Sequence, residues 1–132
     1  MAVEGNIWSK ICFEKYDTVR ELIHNNEFDP NYREGGKSLL HLIAKTMEVD
    51  IAKSLLDRGA DVDIRDAYGN TPVLEALFEY DRNDFKDDSM VKLLFEYGAS
   101  KDSVNNYGVG VKKELDIVRE YSGKVPSWLD NK

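Results

Sequence analysis

One local pattern in this chain occurs twice, and the spacing between its copies limits the fold more than any other feature. Gly69-Asn70-Thr71-Pro72-Val73-Leu74-Glu75-Ala76 places a glycine past a turn, then Thr-Pro, then an apolar helix start. Thr71 is predicted to cap that helix, with Pro72 at the first helical position, where its missing N–H costs nothing. Gly36-Lys37-Ser38-Leu39-Leu40-His41-Leu42-Ile43-Ala44 repeats the segment 33 residues earlier, with Ser38 in the place of Thr71. Downstream, Leu93-Leu94-Phe95-Glu96-Tyr97-Gly98-Ala99 echoes Leu55-Leu56-Asp57-Arg58-Gly59-Ala60, with Gly98-Ala99 lying 39 residues after Gly59-Ala60, and Gly108 follows Gly69 by the same 39. Gly59 and Gly98 each precede the next opening glycine by ten residues. Each unit is one supersecondary module unable to bury its apolar face alone, so stacked neighbours must share a continuous core.

A period near 33, a helix–turn–helix unit and a Thr-Pro-Leu-His-like start are the marks of one family. The chain resembles an ankyrin-repeat protein from about Ile7 to about Tyr121. The resemblance implies an all-α fold, an ankyrin-repeat solenoid of stacked helix-turn-helix units joined by short hairpin turns. One domain is expected over residues 1–132: an N-terminal capping repeat at about 6–31, repeats at 32–64 and 65–103, and a C-terminal capping repeat at 104–132.

Ile7, Trp8, Ile11 and Cys12 make one helical stripe in the first unit, followed by a second helix over 17–23 with Asp17 as N-cap. Asn25-Asn26 is expected to supply the left-handed residue that glycine supplies later. Leu39, Leu40, Leu42 and Ile43 belong to an inner helix of the second unit, and Val49, Ile51, Ala52, Leu55 and Leu56 to an outer one. The third unit repeats this with Val73, Leu74, Ala76 and Leu77, then Met90, Val91, Leu93, Leu94 and Phe95. Truncating Leu55 or Leu94 to alanine is expected to cost about 2–5 kcal/mol. In the last unit Val111, Leu115 and Val118, with Ile117 and Tyr121, form a stripe for one helix. Ser127-Trp128-Leu129 is placed to fold back over the end of the array.

The third unit is longer than the second by six residues, accommodated near 79–88. Glu79 to Asp88 carries five carboxylates against Arg82 and Lys86, with Tyr80 and Phe85 among them. Two roles are open to it: a binding loop, since insertions in repeat arrays map to one face, or a helix extension whose Phe85 folds back on the core.

Little in the sequence suggests catalysis. His41 falls on the histidine of the repeat motif, where the resemblance implies a structural hydrogen bond between hairpin and helix. His24 stands near a helix end, where a cation meets the dipole favourably. With Cys12 these make no metal-like spacing. Gly35-Gly36-Lys37-Ser38 lacks the preceding glycine and strand of a phosphate-binding loop. No catalytic residue, cofactor or metal is expected. Lys plus Arg is 18 against 25 Asp plus Glu, a net charge of −7, which argues against nucleic acid as a partner. No long apolar run argues for a membrane span, and one cysteine suits a reducing, cytoplasmic setting.

What remains is recognition. The resemblance implies that a partner lies in the concave groove of hairpin tips and inner helices. By register the contact residues are Tyr32, Arg33 and Lys37 on the first tip, Arg65, Tyr68 and Asn70 on the second, and Asn106 and Tyr107 on the third. Phe78 and Glu79 lie further along the helix, and Asp81, Asp84 and Phe85 would form an acidic far rim. Aromatic residues on an exposed ridge dominate interface energetics. An acidic, non-catalytic inhibitor or immunity-type protein, monomeric when free and neutralising a basic partner such as a toxin, is the sharpest expectation. An adaptor tethering two proteins is the alternative, and an enzyme or small-ligand binder a more remote one.

Overall fold

The computed structural model describes residues 3–123 together with Pro126 and Trp128. Among the described residues seven helices dominate: α1 (Val3–Cys12), α2 (Tyr16–Asn25), α3 (Leu39–Ala44), α4 (Val49–Asp57), α5 (Pro72–Arg82), α6 (Ser89–Glu96) and α7 (Val111–Tyr121). The strands β1 (Arg33–Glu34) and β2 (Lys37–Ser38) form one small antiparallel hairpin, with Arg33 opposite Ser38 and Glu34 opposite Lys37. Val104 and Gly110 form an isolated bridge at the corresponding place before α7. Successive helices pair as α1/α2, α3/α4 and α5/α6, and the pairs stack so that α1, α3, α5 and α7 form one row and α2, α4 and α6 another. Gly36, Gly69 and Gly108 take the same left-handed turn, each with φ of 81°, so the three stretches are structurally equivalent.

The core runs through the whole stack, from Ile7 and Ile11 through Leu39, Leu55, Leu74 and Leu94 to Val111 and Val118. Leu55 and Leu94 are fully buried, which fits the cost expected for truncating them. The outer row is also clipped together by polar contacts. Arg20 on α2 reaches Asp50 at 2.7 Å and Glu48 at 2.7 Å. Tyr97, following α6, donates its hydroxyl hydrogen to Asp57 of α4 and accepts from Lys53 at 3.2 Å.

Several local expectations are corrected. Asp17 does not cap α2: the helix begins at Tyr16 with Lys15 in the cap position, and Asp17 instead pairs with Arg20 one turn later at 2.9 Å. Asn26 is extended rather than left-handed, with φ −128° and ψ 152°. Its amide donates to Leu22 O at 2.9 Å, so a side chain ends α2 where a left-handed residue was expected. Cys12 is exposed rather than part of the apolar stripe, and Tyr121 is exposed too. Trp128 does cover the end of the array, stacked on Phe95 and edge-on to Tyr80, with Nε1 donating to Asp88 at 2.6 Å. Ser127 and Leu129 lie outside the described residues.

The two helix N-termini that open the central units differ. Ser38 forms a full capping box: its Oγ accepts from His41 N at 3.1 Å, and Ser38 N donates back to His41 Nδ1 at 3.2 Å. Thr71 holds the same extended N-cap conformation but makes no cap bond, and its buried hydroxyl has no hydrogen-bond partner. Pro72 follows it at the first helical position.

Candidate partner-binding surface

The second and third hairpin tips are each built by a side chain that folds the backbone around itself. In the second tip Asp66 Oδ1 accepts from Tyr68 N and Asn70 N, both at 2.9 Å. In the third, Asn105 Oδ1 accepts from Tyr107 N and Val109 N, again at 2.9 Å. Two different residue types thus impose one turn, as expected of Asp and Asn, whose short side chains bond the backbone two residues on. The turns leave Tyr68 52% exposed and Tyr107 73% exposed. Their rings lie together, centroids 6.2 Å apart and tilted by 33°.

The tips are laced to one another. Ala67 N donates to Gly36 O at 3.0 Å and Asn106 N to Tyr68 O at 2.9 Å. Arg33 donates to the carbonyl of Arg65, and Arg65 in turn to that of Val104 at 2.8 Å. Asn106 Nδ2 reaches Ala67 O at 3.2 Å. Arg33, Arg65 and Asn106 remain exposed while making these bonds.

Behind the tips lies a charge cluster. Lys37 Nζ sits 2.8 Å from Asp66 and 3.5 Å from Glu75, and Lys45 Nζ is 3.7 Å from Glu75. Burial disfavours the charge on Lys37, but Asp66 and Glu75 outweigh it and raise its pKa. Burial likewise pushes Asp66 upward, yet Lys37 and two backbone N–H groups hold it below the usual carboxylate range. His41 bridges hairpin and helix: Nε2–H donates to Asn70 O at 2.7 Å, while Nδ1 faces the Ser38 hydroxyl and N–H. Burial pushes its pKa down. The neutral ring with its proton on Nε2 is the form these partners require, because a carbonyl only accepts.

The sequence-derived residues therefore divide. Tyr68, Tyr107, Arg33, Arg65 and Asn106 share one exposed ridge. Lys37 and Asn70 are engaged internally; Asn70 bonds His41, Asp66, Glu75 and Asn105. Tyr32 stands apart from the tyrosine pair, half-buried and edge-on to Trp8 at 6.3 Å, its hydroxyl donating to Glu34 at 2.7 Å. In repeat register the counterpart of Tyr68 in the first tip is Gly35, not Tyr32.

The insertion lengthens α5 to eleven residues against six in α3. Phe85, expected on the rim, is turned inward and only 9% exposed, edge-on to Tyr80 at 5.2 Å. Asp84 and Phe85 both adopt φ near 58°, and Phe85 N donates to Tyr80 O at 2.8 Å, which closes the helix and swings the ring under it. The helix-extension role of the segment is the one the fold adopts for Phe85. Glu79 pairs with Arg82, while Asp81 and Asp84 are exposed. A cleft of about 400 Å³ separates this extension from the α3–α4 turn, lined by Lys45, Met47, Glu79, Arg82, Asp84 and Asp87 among others. Among the described residues no group of three or more His, Cys, Asp or Glu is arranged to hold a metal ion. No described helix is long and apolar enough to cross a membrane.

A helical repeat stack with a laced row of hairpin tips defines a class of repeat proteins that present one flank for recognition. The family model for ankyrin repeats, in three copies, matches residues 9–105, and the chain belongs to the ankyrin-repeat family. Ankyrin repeat protein R841 of Acanthamoeba polyphaga mimivirus is 34% identical over 107 residues, covering 78% of this chain and 18% of that protein. Serine/threonine-protein kinase 12 of Arabidopsis thaliana is 35% identical over 82 residues, 61% of this chain and 16% of the kinase. The human E3 ubiquitin-protein ligase HACE1 is 38% identical over 65 residues, 48% of this chain and 7% of the ligase. The chain thus spans less than a fifth of each of these relatives, and the chemistry in their names is not transferred to it. Ankyrin repeats are protein-interaction modules, and that general role applies here.

Proposed function

We propose that this chain is non-catalytic and acts by binding another protein along its hairpin tips and the row α3, α5 and α7. The observation that carries the reading is the tyrosine pair: two repeats place an exposed aromatic at the same position, and the rings meet at 6.2 Å. Large exposed aromatics are the residues most often responsible for interface affinity. In finer detail, the chain is an acidic inhibitor of immunity type, monomeric when free and cytoplasmic, that occludes a basic partner such as a toxin. Its net charge of −7 and the exposed Asp81 and Asp84 beside the groove support a basic partner, since complementary charge speeds association. The four units form one array, the first and last serving as caps.

A second reading is favoured by the relatives: similar segments occupy small parts of a kinase and a ubiquitin ligase, as a targeting or adaptor module would. Affinity capture with the intact chain, repeated with Tyr68→Ala and Tyr107→Ala combined, tests the shared core of both readings. Loss of the partner with an unchanged melting temperature is expected. Retention of the partner by the double variant and by a variant lacking residues 81–87 would refute groove binding. A single tight partner at equimolar ratio supports the inhibitor, and simultaneous occupancy by two partners supports the adaptor.

A further inference from the structure

Glu75 and Glu114 occupy the same repeat position, 39 residues apart, but only one of them has a cation. Glu75 on α5 is met by Lys37 at 3.5 Å, by Lys45 at 3.7 Å and by Asn70 Nδ2 at 3.2 Å. Both lysines come from the preceding unit. One unit further along, the places of Lys37 and Lys45 are held by Asn70 and Phe78. Glu114 on α7 is only 8% exposed, and while its backbone N–H bonds Gly110 O at 3.2 Å, its carboxyl group has no hydrogen bond or ion pair among the described residues. Burial pushes its carboxyl pKa up, Asp81 on the facing helix α5 adds to that, and Lys113 on its own helix opposes it. The carboxyl oxygens are not sealed from outside, because the sole sealed and unbonded side-chain polar atom among the described residues is Thr71 Oγ1. A carboxylate so placed is costly unless a counter-charge reaches it.

We propose that Glu114 and Asp81 form a subsite between α5 and α7 that takes a lysine or arginine side chain of the bound protein. The Lys45–Glu75 contact is the internal template: it displays, one unit earlier, what a cation does at that position. The subsite rests on the reading of the α3, α5, α7 row as the binding face and names the chemistry that face selects. Tyr68 and Tyr107 supply contact area at the tips, and Glu114 selects a positive charge deeper along the same row. Buried charge pairs across an interface govern the dissociation rate, and truncating one partner costs tenfold or more in affinity.

The test uses the full chain with isotope-labelled glutamate side chains, titrated with a short peptide alternating lysine and glycine. A peptide with norleucine replacing each lysine is the neutral control, and spermidine a free-cation arm. The Glu114 carboxyl signal is expected to respond to the lysine peptide more than that of Glu75, and not to the control. Glu114→Gln should weaken the lysine peptide about tenfold or more. Phe78→Lys restores the missing counterpart of Lys45, so it should lower the Glu114 titration and abolish peptide binding. Phe78→Gln, which removes the ring without adding charge, should leave the Glu114 titration where it is and bind the lysine peptide more tightly than Phe78→Lys does. Unaltered binding by Glu114→Gln, or an unresponsive Glu114 signal, would overturn the subsite. Tighter, Glu114-dependent binding of spermidine would overturn a protein side chain as its occupant. If only the outer-row signals of Glu21, Glu48 and Glu96 move, the groove reading fails as well; if those of Glu34 and Glu79 move without Glu114, the subsite alone fails.

Discussion

Gly69 is pressed against Asn106: a Cβ built on this glycine would stand 2.6 Å from Asn106 Oδ1 and 2.9 Å from Asn106 N. The second hairpin tip is thus locked to the third at van der Waals limits. Gly108 has the same φ of 81° but nothing within 4 Å of the equivalent Cβ.

The two glycines therefore separate backbone strain from packing. Gly108→Ala should cost only the left-handed penalty, about 1 kcal/mol. Gly69→Ala adds a clash with backbone, for about 2–4 kcal/mol in all. Urea denaturation of the two variants measures the difference; equal losses would show that the tips are not closely stacked.

Ser38 and Thr71 occupy the same cap position with opposite outcomes. Ser38→Ala removes a capping box and should cost about 1 kcal/mol. Thr71→Val replaces a buried hydroxyl that bonds nothing with a methyl of similar size, and should leave stability within about 0.5 kcal/mol of the starting protein. Thermal melts of both variants decide the matter, and a large loss in Thr71→Val would mean that its hydroxyl is bonded in solution.

His41 makes stability depend on pH. Its pKa in the fold lies below the ordinary 6.5, so below that pH the unfolded chain binds a proton that the folded chain refuses. Stability is then complete above pH 6.5 and falls as the pH drops toward the folded value. The groups facing the ring are Asp66, Lys37 and Glu75. Asp66, itself held below the usual carboxylate range, adds a further loss in strong acid. Urea midpoints at pH 7.5 and 5.5 should differ in the starting protein and differ less in His41→Gln. An equal pH slope in the two would remove His41 as the cause.

The hairpin-and-helix period was legible because glycine, Thr-Pro and the Leu-Leu pairs answer to local backbone demands that sequence displays directly. Asp17 and Asn26 misled because their side chains had competing partners, Arg20 in one case and the Leu22 carbonyl in the other. Tyr32 and Tyr68 look alike in the sequence, yet packing on Trp8 withdraws the first from the ridge. Phe85 turned inward through two left-handed residues that carry no glycine, a conformation L residues rarely adopt. Glu114 went unnoticed although its register with Glu75 is visible, because the missing lysines matter only once the fold shows who faces that carboxylate.

Amide hydrogen exchange on the complex of the intact chain with its captured partner tests the binding face most directly. Protection is expected to rise at the tips around Tyr68 and Tyr107 and along α5 and α7, and to stay unchanged in α2, α4 and α6. New protection confined to the outer row, with the tips and α7 unchanged, would contradict binding through the hairpin ridge and inner helices.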